Sequence, residues 1–348
     1  MNPHPVRRIS FLLLGLAALG GSPLGRAAGT YHLLKEITLG GEGGWDYLTV
    51  DAASHRLYVT HATKVVVVDT ATDQVVGEVA DTPGIHGVAL APELGRGFSS
   101  NGRENKASIF DLKTLQTLAK VGTGENPDAI LYEPGQQEIY TFDGRGHTAT
   151  VFEAASGKVV ATIPVGGKPE FAQADPAAGR VYVNIEDKNE VIALDTKTHQ
   201  IVSHWPIGPG EEATGLAIDL VHHRLIIGCS NEKVVIMDSV TGKVVASLDA
   251  GKGIDATAFD PSTQLVFASA GGSGTVTIVH EDGPDQFTVI QTLATEHSAR
   301  TMALDPATHK IYLASAKFEP PAPAPAGGPR QWPKIIPGTF KVLVYGPN

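Results

Sequence analysis

One short pattern, a turn followed by a strand rich in β-branched and aromatic residues, returns seven times along this chain. Its first copy begins at Asp51 (DAASHRLYVT) and its fourth at Asp175 (DPAAGRVYVN). The other copies begin at Ala91, Glu133, Asp219, Asp260 and Asp305. Successive copies are 40, 42, 42, 44, 41 and 45 residues apart. A period of about forty residues with several strands in each is typical of β-propeller blades, so the repeat predicts an all-β, seven-bladed β-propeller.

Each period contains four segments that are typical of strands. The repeated pattern supplies the second strand, and a β-branched run that ends in an acid supplies the third, as at Asp69. The last period stops after its third strand, at Lys341 to Gly346, whereas Tyr31 to Gly40 precedes the first blade without a partner. We therefore expect the N-terminal strand to complete the last blade and close the ring, which removes an open sheet edge.

The N-terminus has the order of a secretory signal peptide. Arg7 and Arg8 precede an apolar run from Ile9 to Leu19, and a small-residue region with a cleavage motif at Gly25-Arg26-Ala27 follows. The apolar run is too short to span a membrane. The sequence thus predicts a signal peptide at residues 1–27, a single propeller domain at residues 30–348, and a periplasmic or secreted location.

Two strands carry a family signature. Tyr58-Val59-Thr60-His61 and, more loosely, Tyr182-Val183-Asn184 resemble the Tyr-Val-Thr-Asn motif of the YVTN or YncE-like family of exported seven-bladed β-propellers. The resemblance covers the chain after residue 30, although His61 stands where the family has Asn. It implies the fold and export. Because relatives carry labels as different as lactonase-like and cytochrome-d1-like, it implies no single chemistry.

Composition and missing motifs exclude several functions. The formal net charge of −10 argues against nucleic acid as a partner. The sequence contains no Cys-x-x-Cys-His motif for covalent haem, no His-Glu-x-x-His zinc motif, no Gly-x-Ser-x-Gly elbow and no complete nucleotide-binding loop. We therefore expect neither covalent haem nor a nucleotide as cofactor. Cys229, the single cysteine, is expected to be buried.

One repeat position holds residues that differ from blade to blade. It lies five residues before each copy of the pattern and is ionisable in six of seven blades, in a chain of which 18% is charged. The residues are Asp46, His86, Asp128, Glu170, Thr214, Asp255 and Arg300. This position opens the innermost strand of each blade, so these side chains are predicted to surround one end of the central channel, called the mouth below.

Loops between the second and third strands should emerge on the same face. They add four more candidate ligand-binding residues, which are His61, Arg103, Arg145 and Glu186. Four carboxylates near one axis would repel one another, so a cation, a shared proton or Arg300 is needed to offset them. The leading hypothesis is a binding protein that holds a small polar ligand, a protein or peptide segment, or a metal ion at this acidic mouth.

Two other functions stay open. A metal-dependent, lactonase-like hydrolase would hold a divalent cation, for which Asp128, Glu170 and His86 are the candidate ligands, with His86 or Asp46 as general base. A protein-interaction scaffold would use the whole top face. A proline-rich insertion at residues 317–339 in the last blade is predicted to be extended and to lie over or beside the mouth, or to be a surface excursion without a ligand role.

Overall fold

The computed structural model describes Met1, residues 29–320 and residues 334–348. The candidate signal peptide, apart from Met1, and the centre of the proline-rich insertion lie outside these ranges. Among the described residues, no helix has the length and apolar character needed to cross a membrane.

The chain forms seven four-stranded antiparallel sheets, which are the blades of a propeller. The first strand is β1 (Tyr31–Thr38). Blades 1 to 3 then contain β2 (Leu48–Asp51), β3 (Arg56–His61), β4 (Lys64–Asp69), β5 (Gln74–Val79), β6 (Ile85–Ala91), β7 (Arg96–Asn101), β8 (Lys106–Asp111), β9 (Thr117–Gly122), β10 (Pro127–Glu133), β11 (Glu138–Asp143), β12 (Thr148–Glu153) and β13 (Val159–Pro164).

Blades 4 to 7 repeat this arrangement. They contain β14 (Pro169–Asp175), β15 (Arg180–Ile185), β16 (Glu190–Asp195), β17 (Gln200–Pro206), β18 (Ala213–Asp219), β19 (Arg224–Cys229), β20 (Lys233–Asp238), β21 (Val244–Asp249), β22 (Ile254–Asp260), β23 (Leu265–Ala270), β24 (Thr275–Gly283), β25 (Gln286–Ala294), β26 (Met302–Asp305), β27 (Lys310–Ser315) and β28 (Lys341–Pro347). Two short 3₁₀ turns, Pro92–Leu94 and Glu186–Lys188, lie between strands.

The last blade is completed by the N-terminus. Its strand order is β1-β28-β27-β26, and β1 pairs antiparallel with β28 from Tyr31 opposite Pro347 to Thr38 opposite Lys341. Tyr31 also packs edge-on against Phe267 of the neighbouring blade, with ring centroids 5.0 Å apart. The predicted seven-bladed architecture and its closure by the N-terminal strand are confirmed.

Burial explains the two kinds of strand sequence. The third strand of blade 1, β4, reads KVVVVD and is buried at its four central valines, because neighbouring blades cover both of its faces. The outer strand β5 is largely exposed. Cys229 is buried as expected, and burial raises the pKa of its thiol to about 12. The hydrophobic core is therefore distributed between blades and leaves the mouth residues at the ends of strands.

The acids that end the third strands cap turns on the face opposite the mouth. Asp69 Oδ1 accepts hydrogen bonds from the N–H groups of Ala71 and Thr72, at 2.9 and 2.7 Å, and from the Thr72 hydroxyl. These hydrogen bonds, those of Thr72 foremost, lower the pKa of Asp69. The same turn recurs at Asp111, Asp195 and Asp238. These four acids therefore have a structural role, which is to cap the turns that follow them.

Candidate ligand site at the mouth of the channel

Blades 1, 2 and 3 bring two carboxylates and an imidazole together at the mouth. Asp46 precedes β2, His86 lies in β6 and Asp128 lies in β10. His86 Nδ1 is 2.7 Å from Asp46 Oδ2 and 3.5 Å from Asp128 Oδ1. Among the described residues, Asp128 Oδ1 has no hydrogen-bond donor. A single imidazole nitrogen thus faces two acids.

The surroundings of His86 favour its charged form. Burial alone would lower its pKa, but the hydrogen bond to Asp46 and the negative charges of Asp128, Asp46 and Glu170 raise the pKa to about 9. Burial also raises the pKa of Asp128, against the opposite effect of the His86 charge. At neutral pH His86 is therefore an imidazolium that offsets the two adjacent carboxylates.

Arg300 offsets the acids on the other side of Asp46. Its Nε is 2.6 Å from Asp255 Oδ2, and one of its terminal nitrogens is 3.7 Å from Asp46 Oδ1. The guanidinium carbon also lies 5.8 Å from the centre of the Trp45 ring, within reach of a cation–π contact. Blades 6 and 7 are thereby connected to blade 1 across the mouth.

Glu170 pairs with a residue that sequence reasoning missed. Lys168 Nζ lies 2.6 Å from Glu170 Oε1 and also contacts the carboxylate of Glu186. The hydroxyl of Tyr47, also missed, lies 3.5 Å from Glu170 Oε2. Burial and the charge of Asp128 raise the pKa of Glu170, while the ammonium of Lys168 acts in the opposite direction. Lys168 lies two residues before the mouth position, and no other blade has a cation there. This difference is the sequence signal that could have identified Lys168.

A cavity of about 720 Å³ opens over blades 7, 1, 2 and 3. Its lining includes Trp45, Asp46, His86, Arg103, Arg145 and Arg300. Arg103 and Arg145 reach it from the exposed loops of blades 2 and 3. Within residues 29–320 and 334–348, neither of these two arginines forms an ion pair with an acid. The cavity therefore has two guanidinium groups available to a ligand.

The structure places the remaining candidates elsewhere. His61 is buried under the Gly40–Gly44 segment and stacks on Phe340, with ring centroids 4.2 Å apart, and its burial lowers its pKa. Gly41 makes this cover possible, because at φ +87° a Cβ there would lie 2.8 Å from His61 Cε1. Thr214 donates a hydrogen bond to the carbonyl of Ile254 at 2.7 Å. His61 thus packs in the core beneath the mouth and does not line the cavity.

Of the three candidate metal ligands, two are brought together. Single ligand atoms of Asp46, His86 and Asp128 all lie within 4.8 Å of one another. Glu170 is not a member of this group and is engaged by Lys168 instead. The mouth can therefore hold a divalent ion with one nitrogen and two carboxylate ligands, provided that His86 gives up its Nδ1 proton.

The two ends of the proline-rich insertion lie beside the mouth. Phe318 and Ile335 form an isolated β-bridge at its base. With Trp45 and Arg300 they line a second cavity of about 600 Å³, which adjoins the first one. Trp45 is buried against Phe318 and Phe340, with ring centroids 6.1 and 5.2 Å apart. The insertion therefore starts and ends next to residues of the candidate site.

Comparison with known proteins does not assign the chain to a family. The chain matches no protein-family profile and no curated protein. Function has to be inferred from the mouth itself.

Proposed function

We propose that this protein is an exported propeller of the YVTN or YncE-like type that binds a small polar ligand with an anionic group at the mouth. The observation that carries the proposal is the cavity of about 720 Å³ with Arg103 and Arg145 in its lining. Its volume lies in the usual range for small-molecule sites, which is about 300–1,000 Å³. Guanidinium groups suit carboxylates and phosphates because they can donate two parallel hydrogen bonds.

The sign of the ligand charge follows from the pairing inside the mouth. The protein's own cations, His86, Arg300 and Lys168, already face the acids of the ring. A bound metal ion is therefore not required to offset the carboxylates, because Arg300, one of the alternatives open from the sequence, acts together with His86 and Lys168. Arg103 and Arg145 have no acidic partner in the described part of the chain, and they favour an anionic group on the ligand.

The proposed location has its own test. The order of charged, apolar and small residues before Ala28 supports cleavage of a signal peptide near that residue. We expect the mature protein, isolated from the cell envelope or the medium, to begin at about residue 28. N-terminal sequencing of the native protein measures this directly, and a sequence that starts at Met1 would remove the case for export.

Replacement of the two arginines tests the binding site. Arg103→Met/Arg145→Met keeps most of the side-chain volume and removes both charges. Hydrogen bonds to charged groups contribute about 1.5–3 kcal/mol each, so we expect an anionic ligand to bind at least 100-fold more weakly. Melting temperature is measured with gluconate, citrate and inorganic phosphate at 0.15 M salt, with glucose as the neutral counterpart of gluconate.

A matched control separates site binding from general charge effects. Lys113→Met/Lys197→Met removes the same number of positive charges from exposed turns on the opposite face. The control is expected to respond to the anions as the wild type does. If no anion stabilises the wild type more than the arginine double variant, anion binding at the mouth is wrong.

A metal-dependent, lactonase-like hydrolase is the second candidate function. It is favoured by the approach of ligand atoms from Asp46, His86 and Asp128 to within 4.8 Å. His86 is a poor general base in this site, because an imidazolium with a pKa of about 9 has no free lone pair at neutral pH. Such an enzyme should hydrolyse a series of lactones only with added Mn²⁺ or Zn²⁺, and the Asp128→Asn variant should lose this activity. That result would favour the enzyme over the binding protein.

A further inference from the structure

One repeat position outside the mouth changes character in blade 6. At this position the backbone N–H donates a hydrogen bond to a carbonyl in the turn before the second strand of the same blade. These hydrogen bonds are 2.8–3.1 Å long. In blades 1 to 5 this position is uncharged, and the residues are Thr70, Leu112, Ala154, Thr196 and Ser239. In blade 6 it is Glu281. A position that has only a structural role in blades 1 to 5 thus carries a carboxylate in blade 6.

The Glu281 side chain is fully buried and accepts no well-aligned hydrogen bond from the described residues. Its exposed fraction is 0%, and neither carboxylate oxygen accepts a hydrogen bond from any residue that the structure describes. A buried carboxylate in this condition is costly unless it is protonated or bound to a cation. Glu281 therefore needs either a proton or a cation within reach of its carboxylate oxygens.

Two residues of blade 5 meet Glu281 across the interface. His222 Nδ1 lies 2.7 Å from Asp219 Oδ2 and 3.1 Å from Glu281 Oε1. Asp219 is 2% exposed and is oriented by the N–H groups of Val221 and His222, at 2.9 and 3.1 Å. His222 also departs from the repeat, since the other blades carry Ser54, Leu94, Gln136, Ala178, Thr263 and Thr308 at this position.

We propose that Asp219, His222 and Glu281 form a divalent metal site that links blades 5 and 6 on the face opposite the mouth. Ligand atoms of the three residues lie within 4.8 Å of one another. One nitrogen and two carboxylates are ligands that Zn²⁺ accepts. The single hydrogen that Nδ1 can carry goes to Asp219, so a proton there cannot satisfy Glu281 as well, whereas a metal ion bonds to all three groups.

The two distances from His222 Nδ1 need only small adjustment. Zinc bonds of about 2.1 Å in a tetrahedral arrangement place ligand atoms about 3.4 Å apart. The two short separations at His222 Nδ1 would therefore open by less than about 1 Å. Binding sends the Nδ1 proton to solvent and leaves a lone pair for the metal. The His222 side chain is partly exposed, at 31%, and gives the ion and a water ligand access from solvent.

Zinc titration of the mature protein tests this site. The protein is stripped with a chelator and titrated with ZnCl₂ by calorimetry. His86→Asn serves as the background, because it removes the similar cluster at the mouth. We expect the His86→Asn variant to retain a zinc site. Addition of Glu281→Ser should weaken zinc binding at this site at least 100-fold. Zinc at 100 times its dissociation constant should raise the melting temperature by about 5 °C, and this rise should be absent with Glu281→Ser.

Glu281→Ser introduces the residue that blade 5 has at this position, Ser239, so the fold should tolerate it. Glu281→Gln provides a second variant of nearly equal volume, and circular dichroism verifies the folding of both. Equal zinc affinity with and without Glu281, or no zinc binding in the His86→Asn background, overturns the proposal.

Discussion

Deletion of β1 is expected to abolish cooperative folding of the propeller. Without residues 31–38, β28 becomes an open sheet edge. The apolar side chains that β1 covers are then exposed. Tyr31 additionally donates from its hydroxyl to the His309 carbonyl at 2.7 Å and packs on Phe267. Because whole domains are stable by only about 5–15 kcal/mol, this loss should leave an aggregating chain without a sharp unfolding transition.

Single substitutions make the same test quantitative. Tyr31 is 2% exposed, so Tyr31→Ala should lower the free energy of unfolding by about 3–5 kcal/mol. Leu34 lies in the same strand but is 40% exposed, and Leu34→Ala should cost less than about 1 kcal/mol. Urea unfolding followed by fluorescence measures both. Equal costs, or normal unfolding of the deletion variant, would show that β1 does not close the ring.

The second large effect is a pH-dependent loss of stability in His86→Asn. The folded pKa of His86, about 9, exceeds the unfolded value of about 6.5, so the stabilisation is complete below about pH 6.5 and is lost as pH rises through 9. At 1.36 kcal/mol per pKa unit, the variant should be about 2–3 kcal/mol less stable than the wild type at pH 7. The asparagine amide keeps a donor near Asp46 but carries no charge.

This difference should almost vanish at pH 9.5, since His86 is then mostly neutral in the wild type. Urea unfolding at pH 7 and pH 9.5 measures both values. His147→Asn in the exposed loop of blade 3 is the control, because asparagine tolerates the φ of +52° at this position. A difference of the same size at both pH values would mean that His86 contributes packing rather than charge.

The repeat predicted the architecture because every blade obeys the same local rules. Spacing gave the number of blades, and the incomplete last period gave the ring closure through Tyr31. Repeat register also gave the height of each side chain along the channel, which is why Asp46, His86 and Asp128 were expected at one end and meet there.

Pairing within the mouth could not be predicted in the same way. Which acid meets which base depends on side-chain directions across blade interfaces, and register carries no information on these. Lys168 was missed because it lies two residues before the mouth position, although it holds Glu170. His61 was expected near the ligand, but the glycine segment above it encloses it against Phe340. Local sequence thus gave candidate residues but not their partners.

We propose that the mouth holds an anionic small molecule between Arg103 and Arg145. Native mass spectrometry of the protein, purified without dialysis, tests this binding most directly when the wild type and Arg103→Met/Arg145→Met are compared. We expect the wild type to carry a mass in excess of the polypeptide, which is released as an acid on denaturation and is absent from the double variant. Bare polypeptide mass in both proteins, or the same bound species in both, would contradict it.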